Sequence, residues 1–176
     1  MQFPPMPTWD ALHPIIIHFP IVLLLLSPLF IVISAVLRPP SGRPYMIAAI
    51  IVLLLGTGSL FIAASTGEAA AELAERGGAM NAVLESHESL ASASRIVFSG
   101  LTLLLLAIYL LPRFLGREET QFAARYLPVA FLAVYSVGAL LIVNTAHAGG
   151  RLVHEFGVHA LIPASSGDQN APAHGE

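Results

Sequence analysis

The side chains that could do chemistry in this sequence are its seven histidines, and there is no cysteine to help them. Without thiolates there is no disulfide, no sulfur-held metal and no iron–sulfur cluster. The Cys-x-x-Cys-His attachment of a covalently bound haem is excluded for the same reason. Imidazole remains, the usual ligand of haem iron and a common one for copper or zinc. The histidines are His13, His18, His87, His147, His154, His159 and His174. No catalytic set accompanies them. Ser99 and Ser136 lie in apolar runs with no evident base, so the chain reads as an electron-transfer or structural protein rather than an enzyme.

The elements that must position these residues are set by composition. Of 176 residues, 56% are hydrophobic and only 11% are charged, with every basic residue an arginine. Mean hydropathy is +0.76. This balance excludes a disordered chain, a nucleic-acid binder and an ordinary soluble enzyme, and points to the lipid bilayer. Residues 14–37, 45–65, 96–111 and 126–150 contain no Asp, Glu, Lys or Arg. About 20 residues of helix cross the hydrocarbon core. The third run is short, but uncharged residues 90–94 extend it past Arg95, whose long side chain can snorkel to the interface. The runs do not alternate as membrane strands must. The expected fold is therefore an all-α membrane protein, a four-transmembrane-helix bundle in one domain over residues 1–162. The spans are expected near 14–37, 45–65, 91–112 and 126–149, and residues 163–176, rich in Pro, Ala, Ser and Gly, read as a disordered tail. No basic residue precedes the first run, so it reads as a span rather than a cleaved signal. Trp9 and Phe3 suit an interfacial anchor. Pro20 and Pro28 should kink the first span and leave carbonyls for neighbouring helices to satisfy.

Arginine placement sets the expected orientation. Arg38, Arg43, Arg113, Arg117 and Arg125 share one side with Glu118 and Glu119, while the other side is strongly acidic. The positive-inside rule then puts both termini and the second connection outside the cytoplasm. That second connection has the helix-forming run Glu68–Arg76, a stop at Gly77-Gly78 and a second helical pattern over residues 80–94. Helices two and three should therefore extend beyond the membrane as a hairpin turning at Gly77-Gly78.

Every histidine falls on the outer side of this layout. His18 should lie about 6 Å deeper than the start of the first span. Counting from the glycine turn puts His87 level with Glu68. His18, His87 and His147 thus offer one imidazole each from three helices at similar depth, a haem or metal ligand set with His154 in reserve. A ligating histidine donates its other N–H to a carboxylate or carbonyl, which Glu68 or Glu88 could accept from His87. Arg95 could pair with a haem propionate or with one of these glutamates. Each residue has a plainer reading: helix-packing hydrogen bonds for His18, solvation for His87, an interfacial histidine for His147. His13 is expected to hydrogen-bond near the helix start rather than bind metal, His154 and His159 are ambiguous, and His174 belongs to the tail. Gly56, Gly58, Gly100 and Gly138 permit close helix approach, or room for a flat macrocycle.

The stretch Leu12-His13-Pro14-Ile15-Ile16-Ile17-His18-Phe19-Pro20-Ile21 resembles the opening signature of a bacterial four-helix membrane family, domain of unknown function 2231 (DUF2231). Thr66-Gly67-Glu68-Ala69-Ala70, His87-Glu88 and Gly149-Gly150-Arg151-Leu152-Val153 resemble its later landmarks, so the likeness covers about residues 10 to 160. Some relatives are joined to c-type cytochrome domains. The resemblance implies a bacterial inner-membrane subunit of a respiratory-type complex that uses haem b. Its partners would be other membrane subunits and a separate c-type cytochrome, since this chain carries no such domain. The alternatives are a cofactor-free structural or assembly subunit, and an outer-face copper or zinc site built from His18, His87 and His147.

Overall fold

A computed structural model describes residues 7–37, 40–74, 77–116 and 121–158, with the side chains of 121–125 left aside. His159, His174, Arg38, Arg117 and the expected tail lie outside the described residues. A 3-10 turn at Asp10–Leu12 leads into α1 (His13–Ile16) and α2 (His18–Val36). Then follow α3 (Arg43–Leu73), α4 (Gly78–Phe114) and α5 (Gln121–His154). No strand occurs among the described residues. Four helical segments, Asp10–Val36, Arg43–Leu73, Gly78–Phe114 and Tyr126–His154, are long and apolar enough to cross a membrane.

Local chemistry explains the breaks. Pro20 has no N–H for the Ile16 carbonyl, and α1 and α2 part at Ile17, one turn earlier. The turn between α3 and α4 falls at the expected glycines: Gly77 is extended, and Gly78 opens α4 with φ +45°, where a side chain would be strained. At 37 residues, α4 is about 55 Å long, well beyond the roughly 30 Å hydrocarbon core.

Packing runs around a square. α2 touches α3 and α5, and α4 touches α3 and α5, while the diagonal pairs do not meet. The centre holds Leu24, Ile31, Leu53, Phe98, Leu105 and Tyr135, all sealed from the surroundings. Phe98 meets Tyr135 edge-on at 5.5 Å between ring centroids. Large apolar side chains such as Leu55, Ile96, Leu103 and Val137 face outward instead, as a lipid-facing surface requires. Two of the four span glycines are used for close approach. A Cβ on Gly56 would lie 2.7 Å from Leu24 Cδ2, and one on Gly138 would lie 2.9 Å from Leu101 Cδ1. Gly58 and Gly100 face open space.

The proline expectation resolves to one residue. Pro28 cannot donate to the Leu24 carbonyl, and the Tyr135 hydroxyl of α5 donates to that oxygen at 2.6 Å. The other buried hydroxyls of the middle are paired too. Thr57 and Thr102 bond each other at 2.8 Å, and Ser27 donates to the Ala49 carbonyl at 3.3 Å.

Candidate functional site

The up-and-down order of the helices brings the start of α1, the end of α3, the start of α4 and the end of α5 to one end of the bundle. All the described histidines lie there. Two of them turn inward. His13 crosses to α3, where its Nδ1 lies 3.0 Å from Thr66 Oγ1. The Thr66 hydroxyl also reaches α3's own carbonyls, Ala63 at 2.9 Å and Ile62 at 3.2 Å. Its single proton can go to these carbonyls or to the imidazole, so the contact fixes the place of the His13 ring and not its tautomer. Gly67 makes room: a Cβ there would sit 2.8 Å from His13 Cε1.

His87 repeats the arrangement on the other side. Its Nδ1 lies 3.0 Å from the Thr145 carbonyl of α5, an atom that can only accept, so this hydrogen bond takes an Nδ1–H from the ring. Gly149, one turn further on, leaves the space; a Cβ there would lie 3.1 Å from His87 Cε1. Ser94 braces the contact by bonding Thr145 Oγ1 at 3.2 Å.

Among the described residues neither Nε2 atom has a hydrogen-bond partner. The only sealed, unpaired side-chain polar atom among those residues is Asn81 Oδ1. The two rings lie in a layer between apolar clusters. On one side is the main core, ending at Leu60 and Ile142. On the other is a small cap of Ala71, Val83, Leu84 and Leu152, with Met80 and Phe156 packed against it.

The other site residues expected from the sequence fall outside this pair. His18 is exposed on the bundle exterior, five residues beyond His13 and so about 140° further round the helix. His147 is also exposed and lines a groove of ≈ 390 Å³ between α4 and α5 with Ser86, Asn144 and Arg151. His154 is exposed. Glu68 does not meet His87; it lies 3.7 Å from Arg95, one of the pairings foreseen for that arginine. Glu88 is exposed. His13 does hydrogen-bond near its helix start, as expected, but through one nitrogen only. The glycines that seat the two rings, Gly67 and Gly149, belong to the motifs Thr66-Gly67 and Gly149-Gly150. At the end of α5, Arg151 makes a bidentate pair with Glu155 at 2.8 to 3.0 Å, which holds the Glu155 carboxyl below its ordinary range.

Among the described residues no three His, Asp or Glu side chains converge as a metal-holding group. A bare zinc or copper ion draws three or four ligands from the protein. Haem iron carries four nitrogens of its own and asks for two. His13 and His87 each offer one imidazole, held on a neighbouring helix through Nδ1 and seated on a glycine.

A family model described as a predicted membrane protein matches residues 9–161. No curated protein and no solved structure matches the chain.

Proposed function

The chain belongs to the DUF2231 family of predicted membrane proteins, and we propose that it is a haem-b-binding membrane subunit of a respiratory-type electron-transfer complex. The observation that carries this reading is the state of His87. Its Nδ1–H is fixed on the Thr145 carbonyl, its ring is seated on Gly149, and its Nε2 is left as a donor at one end of the bundle. That is how a protein prepares an imidazole for a metal: the second nitrogen's bond sets tautomer and ring direction and raises basicity.

Bound there, haem b would supply one-electron exchange between Fe(III) and Fe(II). The chain's own residues do the rest. Thr145 and Ser94 hold the His87 ring. The main core and the apolar cap flank the layer and keep its dielectric low. Arg95, paired with Glu68 and only partly exposed, is the cation nearest in sequence for a propionate. The arginine distribution supports both termini, and hence the histidine end, lying outside the cytoplasm, and the family resemblance supports a bacterial inner membrane with that side facing the periplasm. A single haem at one end does not carry electrons across the bilayer. It exchanges them with a partner at that face, such as a separate c-type cytochrome, within a set of other membrane subunits.

The test is a reduced-minus-oxidised visible spectrum and a pyridine haemochrome assay on the full chain, purified from cells supplied with haem. The expected result is a low-spin bis-imidazole spectrum at one haem per chain. A haem-replete preparation with no such absorption refutes the reading.

A further inference from the structure

We propose that the groove between α4 and α5 at the histidine end binds an isoprenoid quinone, a flat neutral ring with two carbonyl oxygens and an apolar tail. The groove measures ≈ 390 Å³, within the range of about 300–1,000 Å³ that small-molecule sites occupy. Its floor is apolar: Val83 of α4 and Ala148 of α5 are buried, and Leu90 lies at its deeper edge. Three hydrogen-bonding side chains edge that floor, Ser86 from α4 and Asn144 and His147 from α5. All three are exposed, and none makes a side-chain hydrogen bond among the described residues. A hydroxyl, a carboxamide and an imidazole can each donate to a carbonyl oxygen.

Charge and place choose the occupant. Arg151, the one arginine on the groove, is already matched by its bidentate pair with Glu155. A phospholipid phosphate would have to settle beside that carboxylate, whereas a neutral quinone brings no charge to it. Arg151 is also the first charged residue after the uncharged run 126–150, so the groove straddles the polar boundary of the fourth span. Leu140 and Val137, four and seven residues deeper than Asn144 on the same face of α5, are exposed and apolar. A tail can follow them into hydrocarbon while the ring stays at the boundary, a path a water-soluble ligand would not use. Ser86, Asn144 and Ala148 are the chain neighbours of His87, Thr145 and Gly149, so the groove flanks the His87 seat. The site is independent of the haem reading and stands whether or not haem is bound.

The experiment uses the full chain in detergent micelles. An azido-substituted ubiquinone with a short isoprenoid tail is photolysed on the protein, and labelled peptides are located by mass spectrometry. Label is expected in residues 82–90 and 144–151; label confined to other segments overturns the site. Equilibrium binding of the unmodified short-tailed ubiquinone gives the affinity. Asn144→Ala and His147→Ala should each weaken it about fivefold, the loss of one hydrogen bond. Ser86→Phe, which fills the groove from its rim, should abolish binding. These side chains are exposed, so the variants keep the fold. His18→Ala, on the first span, should bind as the wild type does. No saturable binding to the wild type overturns the proposal, as does equal affinity in all the groove variants. Displacement of the quinone by an equal concentration of phosphatidylglycerol also overturns it and makes the groove a phospholipid site. A wild type that binds quinone but no haem refutes the haem reading alone.

Discussion

The middle of the bundle and its histidine end are built from similar helices but treat their polar atoms in opposite ways. In the middle every buried hydroxyl is committed inward: Thr57 with Thr102, Ser27 on Ala49, Tyr135 on the carbonyl that Pro28 leaves over. Glycines there are filled by Leu24, Leu101 and Phe98. At the histidine end the glycines are filled by imidazoles, and each imidazole keeps one nitrogen back. In hydrocarbon an unpaired polar group costs several kcal/mol, which the sealed middle avoids by pairing its hydroxyls, while the layer at the end is only part-buried. The first pattern is what stability alone demands. The second departs from it, and does so twice with the same residues: a threonine, a glycine and a histidine.

Substitutions in the middle should therefore cost stability, and substitutions at the end should cost ligand binding. The largest stability effect is expected from Phe98→Ala, which empties a fully sealed position: about 3–5 kcal/mol by reversible unfolding in mixed micelles. Gly56→Leu should follow at about 1–3 kcal/mol, because its Cβ alone would already crowd Leu24. Tyr135→Phe keeps the ring contact with Phe98 and orphans the Leu24 carbonyl, for about 1–2 kcal/mol. His87→Ala should cost the ligand-free protein less than about 1 kcal/mol, since it removes only one half-buried side chain from an accessible layer. If it instead destabilised the protein as much as Phe98→Ala, the contrast between the two regions would break. The smallest effect belongs to Glu155→Gln. Arg151 depresses the Glu155 carboxyl, so the pair contributes at neutral pH and its contribution is lost only as pH falls through that lowered value. Both partners are at the surface, so the melting temperature at pH 7 should hardly move, while the acid side of the stability curve should flatten slightly.

How much of this was legible follows from what a count along a helix can carry. Helix number was readable: the apolar runs announced four helices long and apolar enough to span, and the order of those helices puts the described histidines at one end. Rotation was not. A helix apolar on every face gives no sign of which face its neighbours will cover. His13 and His18 share a depth range but differ in direction, and only the packing of α1 on α3 decides that His13 points inward. The same gap hid Tyr135. Pro28 announced an unpaired carbonyl, but the donor comes from a residue more than a hundred positions away. The expectation that Glu68 would hold His87 also rested on depth alone. At that level it is the Thr145 backbone that faces the ring, and Glu68 meets Arg95.

The cap over the imidazole layer has a consequence for how the protein is made. Its residues come from α3, α4 and α5, and Leu152 belongs to α5, which is synthesised after the other two. The carbonyl that orients His87 is on that helix as well. Until α5 inserts, the layer has neither its roof nor its second clamp, and the first three helices present an open mouth. A chain truncated before Thr145 should insert three spans and yet never hold a ligand in the finished geometry.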